Sequence, residues 1–295
     1  MEKEYHVRHA DGDFALLMTS RGGITIRTPA RGRAEAKSLF KNARGGMDVC
    51  VSCGGVVYVM AQTQSGAIIK IIKRDGVWHR FDVLVPKNAL YYPKRFALCP
   101  QSDGVFAFFS LRGSQNTSLC MTNLSKSGAV PAMIAHIGAW DAFDAAKSPG
   151  GVCAAFTDEA GTLYALFYEP LKNKKSLVPL LSGGGFSNIR AFADAGALHT
   201  VFLRDGRLFY IETDARTRLV RAIHDLGAAD ADAELSLSHK RGALFIHTVS
   251  ESAADTLEFD LKRRVYKKTT RATGSHAPCE IKHVFAGGSE TELVI

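Results

Sequence analysis

The chain has 295 residues, 46% hydrophobic and 22% charged, and a formal net charge of +8 from 37 basic and 29 acidic side chains. That composition is ordinary for a globular protein, and with no apolar run of about 18 residues it excludes a membrane-crossing helix. The first 30 residues, with Glu2, Glu4, Asp11 and Asp13, lack the apolar core behind basic residues that a secretory signal requires.

A unit of about 46 residues recurs along the chain. The units open DGDFALLMTSRGGITIRT at Asp11, GGVVYVMAQTQSGAIIKII at Gly54, DGVFAFFSLRGSQNTSLCMT at Asp103 and GGVCAAFTDEAGTLYALFY at Gly150. AGALHTVFLRDGRLFYIET at Ala195 and RGALFIHTVSESAADTLEFDL at Arg241 follow. The anchor glycines Gly12, Gly55, Gly104, Gly151, Gly196 and Gly242 are spaced 43, 49, 47, 45 and 46 apart. Five residues before each anchor stand Val7, Cys50, Cys99, Ala146, Ala191 and Leu237, all apolar or small. Two after it stand Phe14, Val57, Phe106, Cys153, Leu198 and Leu244. Five after it stand Leu17, Met60, Phe109, Phe156 and Val201, with His247 the exception.

Each unit predicts four strands. The run after the anchor, as in Val105 to Phe109, is apolar on both faces and reads as a strand buried on both sides. The next turn carries hairpin chemistry, as in Arg204-Asp205-Gly206, where glycine supplies a positive φ. Later strands grow more polar, as in Arg218 to His224. Residues 31 to 42 have a weak helical look, but the register makes Ala34 to Phe40 an outer strand. Glu280 to Phe285 then matches an innermost strand and Glu290 to Ile295 the start of a second. The sequence leaves three readings of this half unit open: it closes a ring with the N-terminal strands, it is an incomplete blade, or the protein continues beyond it.

A period of 40 to 50 residues with this dry-to-wet gradient resembles β-propeller repeat proteins over almost the whole chain. The implied fold is all-β: a propeller of six or seven blades, each a four-stranded antiparallel sheet around a central axis. One domain over 1–295, with a partial repeat at 279–295, is the expected organisation. No Trp-Asp repeat, Kelch glycine pair or sialidase box is present. The short Asp-Gly hairpins look somewhat like those of fucose-type lectins, which carry a tryptophan in most blades, whereas this chain has only Trp78 and Trp140.

Motifs that could carry chemistry are few. Cys50-Val51-Ser52-Cys53 has the spacing of a zinc or redox pair, but no second pair exists and Cys50 occupies an apolar register position. Six cysteines set inside strand runs suit a reducing cytoplasm. His6, His9, His239 and His283 lie on innermost strands but share no single repeat offset. Gly183-Gly184-Gly185 lacks the helix that a phosphate loop needs and reads as a connection between blades. The carboxylate pairs Asp141/Asp144 and Asp230/Asp232 read as turn residues. Neither a cofactor nor a metal is expected. Lys262, Arg263, Arg264, Lys267, Lys268 and Arg271 form a basic rim that could neutralise phosphates of a nucleic acid, although interleaved aromatics are few.

The surface best suited to binding is the face formed by loops entering the innermost strands. One such loop runs Pro86 to Pro93. The expected site is the axial mouth, lined by Tyr91, Tyr92, Trp140, Asp141 and His276, with Asn88 and Arg112 at its edge. Rings beside amides and carboxylates suit a peptide or a sugar. With no catalytic motif, the expectation is a non-enzymatic binding or scaffolding protein with a protein partner. The alternative is a glycan-handling protein, lectin-like or hydrolytic. Loops that differ between blades weigh against a site repeated in every blade.

Overall fold

The third repeat shows how the sequence builds a blade. In the computed structural model, Phe96–Gln101, Gly104–Arg112, Thr117–Asn123 and Ala132–Ile137 form one antiparallel sheet in that order. Side chains alternate across a strand, so the apolar run splits in two. Val105, Ala107 and Phe109 pack with Tyr58 and Met60 of blade two. Phe106 and Phe108 pack with Phe143, Val152 and Phe156 of blade four. The last strand is only partly buried, because it lies at the outer edge of the sheet.

The structure describes residues 2–18, 23–28, 35–87, 92–194, 196–240, 242–250, 253–263, 265–272, 279–286 and 288–294. Across them the same arrangement recurs six times, with the first strand of each repeat innermost among its four: Glu2–Val7, Ala43–Val51, Phe96–Gln101, Phe143–Ser148, Phe186–Ala193 and Glu234–Lys240. The expected outer strand at Ala34 to Phe40 is present as Glu35–Phe40. The fold is a six-bladed β-propeller. Among the described residues no helix is long and apolar enough to cross a membrane.

The repeat register holds in burial. All six residues two after the anchor are buried. Val7, Cys50 and Cys99 are buried, while Ala146, Ala191 and Leu237 are half-buried. His247, the one polar residue at its register position, is also buried. Its Nδ1 lies 3.0 Å from Thr256 Oγ1 and its Nε2 lies 3.4 Å from Ser238 Oγ, so neighbouring hydroxyls satisfy the ring.

One sheet departs from the four-stranded expectation. Cys279–Phe285 pairs in parallel with Glu2–Val7, and Gly288–Val294 pairs antiparallel with Cys279–Phe285. Blade one is therefore six-stranded, with the C-terminal half unit on its inner side. Cys279–Phe285 belongs to the innermost-strand type of the repeat, so it runs in the same direction as Glu2–Val7. A free sheet edge offers unpaired backbone groups, and here the chain's own last strands satisfy them. Arg8 N donates to Val284 O at 2.8 Å, and Lys282 Nζ reaches Asp48 Oδ1 at 2.7 Å on the neighbouring blade.

Two aspartates tie innermost strands together. Asp48 Oδ2 accepts from Leu98 N at 2.7 Å, one blade on. Asp144 Oδ2 accepts from Ala191 N at 2.9 Å, and its Oδ1 pairs with Arg95 at 3.0 Å. Asp144 is thus a strand residue joining blades four and five, not the turn residue its sequence context implied. Both aspartates stand seven residues before their anchors, a repeat position apolar in blades three, five and six (Ala97, Ile189, Leu235).

Candidate functional site

In blade three, Phe106, Phe108, Ser110 and Arg112 share one strand face, and the first two pack on blade four. The row turns polar where the strand leaves the core. Ser110 is buried, yet its Oγ has no hydrogen-bond partner among the described residues. Arg112 is exposed and its guanidinium stands 4.8 Å from the centre of the Tyr92 ring, a cation–π distance. Tyr92 is held in turn by blade two, where Gln62 Nε2 donates to its carbonyl at 2.9 Å.

The facing wall comes from blade four. Ile137, at the end of blade three, forms a bridge with Asp158, and Gly138 N donates to Thr157 O at 3.2 Å. The linker thus fastens onto the hairpin of the next blade and presents Trp140. In that hairpin Asp158 Oδ1 accepts from Thr162 N at 2.8 Å, which commits its carboxylate to the turn. Glu159 projects freely. Neither Arg112 nor Glu159 has an ion pair or a hydrogen bond among the described residues.

Between these elements lies a pocket of about 410 Å³ lined by Tyr92, Ser110, Arg112, Asn116, Trp140 and Glu159, among others. That volume falls within the ~300–1,000 Å³ typical of small-molecule sites. The structure brings together three of the residues expected from sequence: Tyr92, Arg112 and Trp140. Asp141 is exposed beside Trp140 but does not line the pocket; its carbonyl accepts from Phe143 N at 2.8 Å. Asn88, Tyr91 and His276 lie outside the described residues.

The pocket sits at the junction of blades three and four rather than around the axis. A linker runs from the outermost strand of one blade to the innermost strand of the next, so its middle overlies the cleft between them. Two charge pairs lie near the axis, Arg95 with Asp144 and Lys282 with Asp48. Sequence reasoning missed Ser110 and Glu159. Glu159 carried a readable signal: it stands eight residues after Gly151, as Arg112 stands eight after Gly104.

The other motifs resolve as packing. Cys50 is buried and Cys53 exposed, and burial pushes the Cys50 thiol well above its ordinary range. His239 stacks on Phe192 at 4.6 Å, and His6 lies 3.1 Å from Glu4. Among the described residues no group of three or more potential ligands could hold a metal ion.

No protein-family model matches the sequence, and no curated protein matches it. Solved structures do resemble it. The Aleuria aurantia lectin, described as a six-bladed β-propeller with a novel fucose recognition mode, superposes with a TM-score of 0.59 at 8% identity, over 93% of this chain and 96% of that one. SapL1 lectin in complex with α-methyl fucoside gives 0.59 at 10% identity, over 93% and 97%. Prolyl oligopeptidase B from Galerina marginata gives 0.55 at 10% identity, over 92% of this chain but only 42% of that one. At such identities the likeness is one of fold.

Proposed function

We propose that this protein is a carbohydrate-binding propeller that holds a sugar between blades three and four without transforming it. One observation carries the reading: Arg112 and Glu159, with no ion pair or hydrogen bond among the described residues, line a pocket with Tyr92, Trp140 and the Ser110 hydroxyl, which has no partner among them either. A sugar offers hydroxyls that accept from a guanidinium and donate to a carboxylate, and an apolar ring face that stacks on an indole. Hydrogen bonds to charged partners contribute about 1.5–3 kcal/mol each. The lectin neighbours support this choice over a protein-scaffold role. Glycoside hydrolysis ordinarily needs two carboxylates flanking the bond, and the lining residues supply one, which favours binding over turnover.

The test is a panel of methyl glycosides titrated calorimetrically against the protein and against Trp140→Ala and Glu159→Gln. A glycoside should bind the native chain, and each substitution should weaken it at least tenfold while leaving the thermal midpoint unchanged. Silence of the panel, or binding indifferent to both substitutions, removes the proposal.

A further inference from the structure

We infer that the chain carries one sugar site of this kind, not one per blade; the inference rests on the carbohydrate reading of the pocket. The site needs an arginine from one blade and an acid from the next. At eight residues after the anchor the six blades carry Ser20, Thr63, Arg112, Glu159, Arg204 and Ser250. Arginine is followed by an acid once in the ring, from blade three to blade four. At eleven before the anchor, blades two to six carry Arg44, Pro93, Trp140, Gly185 and Ala231, so the indole wall also occurs once.

The other described junctions differ in backbone as well as in side chain. Between blades four and five the linker doubles back, and Gly184 N donates to Gly161 O at 2.9 Å. Between blades five and six, Ala229 N donates to Gly206 O at 3.0 Å. In both places the linker bonds to the hairpin of the blade it leaves rather than to the hairpin of the next. From blade three the linker bonds forward, and the hairpin Arg112 to Thr117 keeps its cleft. The linker from blade one also bonds forward, since Gln64 N donates to Asn42 O at 2.8 Å. But the acid position there is Thr63, whose hydroxyl lies 2.9 Å from Ser65 Oγ and accepts from Ala67 N at 3.0 Å.

Arg204, the counterpart of Arg112, is committed. It lies 4.9 Å from the Phe186 ring centre, its Nε is 3.4 Å from Asp205, and its Nη1 donates to Ser182 O at 3.5 Å. A Cβ on Gly183 would come within 2.8 Å of the guanidinium, so the side chain rests against the glycine run.

Calorimetry and native mass spectrometry with methyl α-L-fucoside, or with the tightest glycoside of the panel, test the count. We expect one glycoside per chain. Arg112→Ala should lose at least a hundredfold in affinity, whereas Arg204→Ala should keep one site with affinity within twofold. Two or more sites per chain, or loss of a site in Arg204→Ala, overturns the inference while leaving the carbohydrate reading standing. Absence of binding by every glycoside overturns both.

Discussion

Blade four meets a neighbour on each side, and the two junctions are built differently above similar cores. Toward blade three, Phe143 and Phe156 pack with Phe106 and Phe108. Toward blade five, Phe167 and Ala155 pack with Phe202 and Ile211. Both interiors are apolar and aromatic, yet a pocket lies above the first and above the second the linker folds back. The difference is the direction of the linker. Gly183, Gly184 and Gly185 all have positive φ (112°, 71° and 76°), a conformation that only glycine adopts at little cost, and this lets the chain fold back onto Gly161. The forward linker has one glycine, Gly138, and then the bulky Trp140. Core packing holds the blades together; the linker decides whether a ligand can enter between them.

The comparison is broken most directly at Gly161. Its φ is +74°, and a Cβ there would lie 2.9 Å from Gly184 Cα. Gly161→Ala forces a left-handed alanine and pushes on backbone that cannot yield easily, costing about 3 kcal/mol. Urea denaturation should show that loss, and because Gly161 shares its turn with Glu159, sugar affinity should fall as well. Gly138→Ala meets only Asp158 O, at 3.2 Å. It should cost under about 1 kcal/mol but displace the segment carrying Trp140, and so weaken sugar binding several-fold. If Gly161→Ala costs no stability, the backward bond from Gly184 to Gly161 is not what fixes that linker.

The two arginines sharpen the same contrast at smaller scale. Arg204→Ala removes a cation–π contact and the anchorage of the linker, and should lower stability by about 1 kcal/mol. Arg112→Ala removes the cation–π contact with Tyr92 alone and should cost about 0.5 kcal/mol, because its guanidinium has no ion pair or hydrogen bond among the described residues to lose. Binding should rank them the other way. Denaturation and calorimetry on both variants give a crossed result if the reading holds, and parallel results if it does not.

Most of the scaffold was legible because the repeat enforces it. The period gave the blades, and the alternation of Val105 to Phe109 gave strands buried on both faces. The closure was not legible. Parallel pairing of Cys279–Phe285 with Glu2–Val7 depends on which edge is free after the ring forms, and no local pattern encodes that. The site was half legible. Tyr92, Arg112 and Trp140 stood out as unusual residues for their loops. Glu159 was hidden beside Asp158, and only the turn geometry shows which of the two acids is committed. The described members of the expected axial set line a cleft between blades instead, because the linker that carries Trp140 bridges two blades.

The smallest expected effect is an acid sensitivity centred on blade five. His199 is buried in blade five, with Nδ1 2.7 Å from Tyr210 Oη and Nε2 3.3 Å from Asp194 Oδ2. Phe192 stacks between His199 and His239. Burial holds the His199 imidazole below the ordinary histidine range; Asp194 and Glu212 pull it up and His239 presses it further down. The unfolded chain therefore takes up this proton at higher pH than the native protein does. As pH falls below about 6.5, stability drops, and the loss levels off once pH is below the native value. Asp194 acts in a separate window. Its carboxyl is held below its ordinary value, so its stabilisation is lost only as pH falls through the carboxylate range. Between pH 7 and 5 the thermal midpoint of the native chain should fall, and His199→Gln, which keeps a neutral polar group beside Tyr210, should flatten that slope. No histidine lines the pocket, so sugar affinity should change less than twofold between pH 7 and 6. Equal slopes in native protein and variant would assign the acid sensitivity to another histidine.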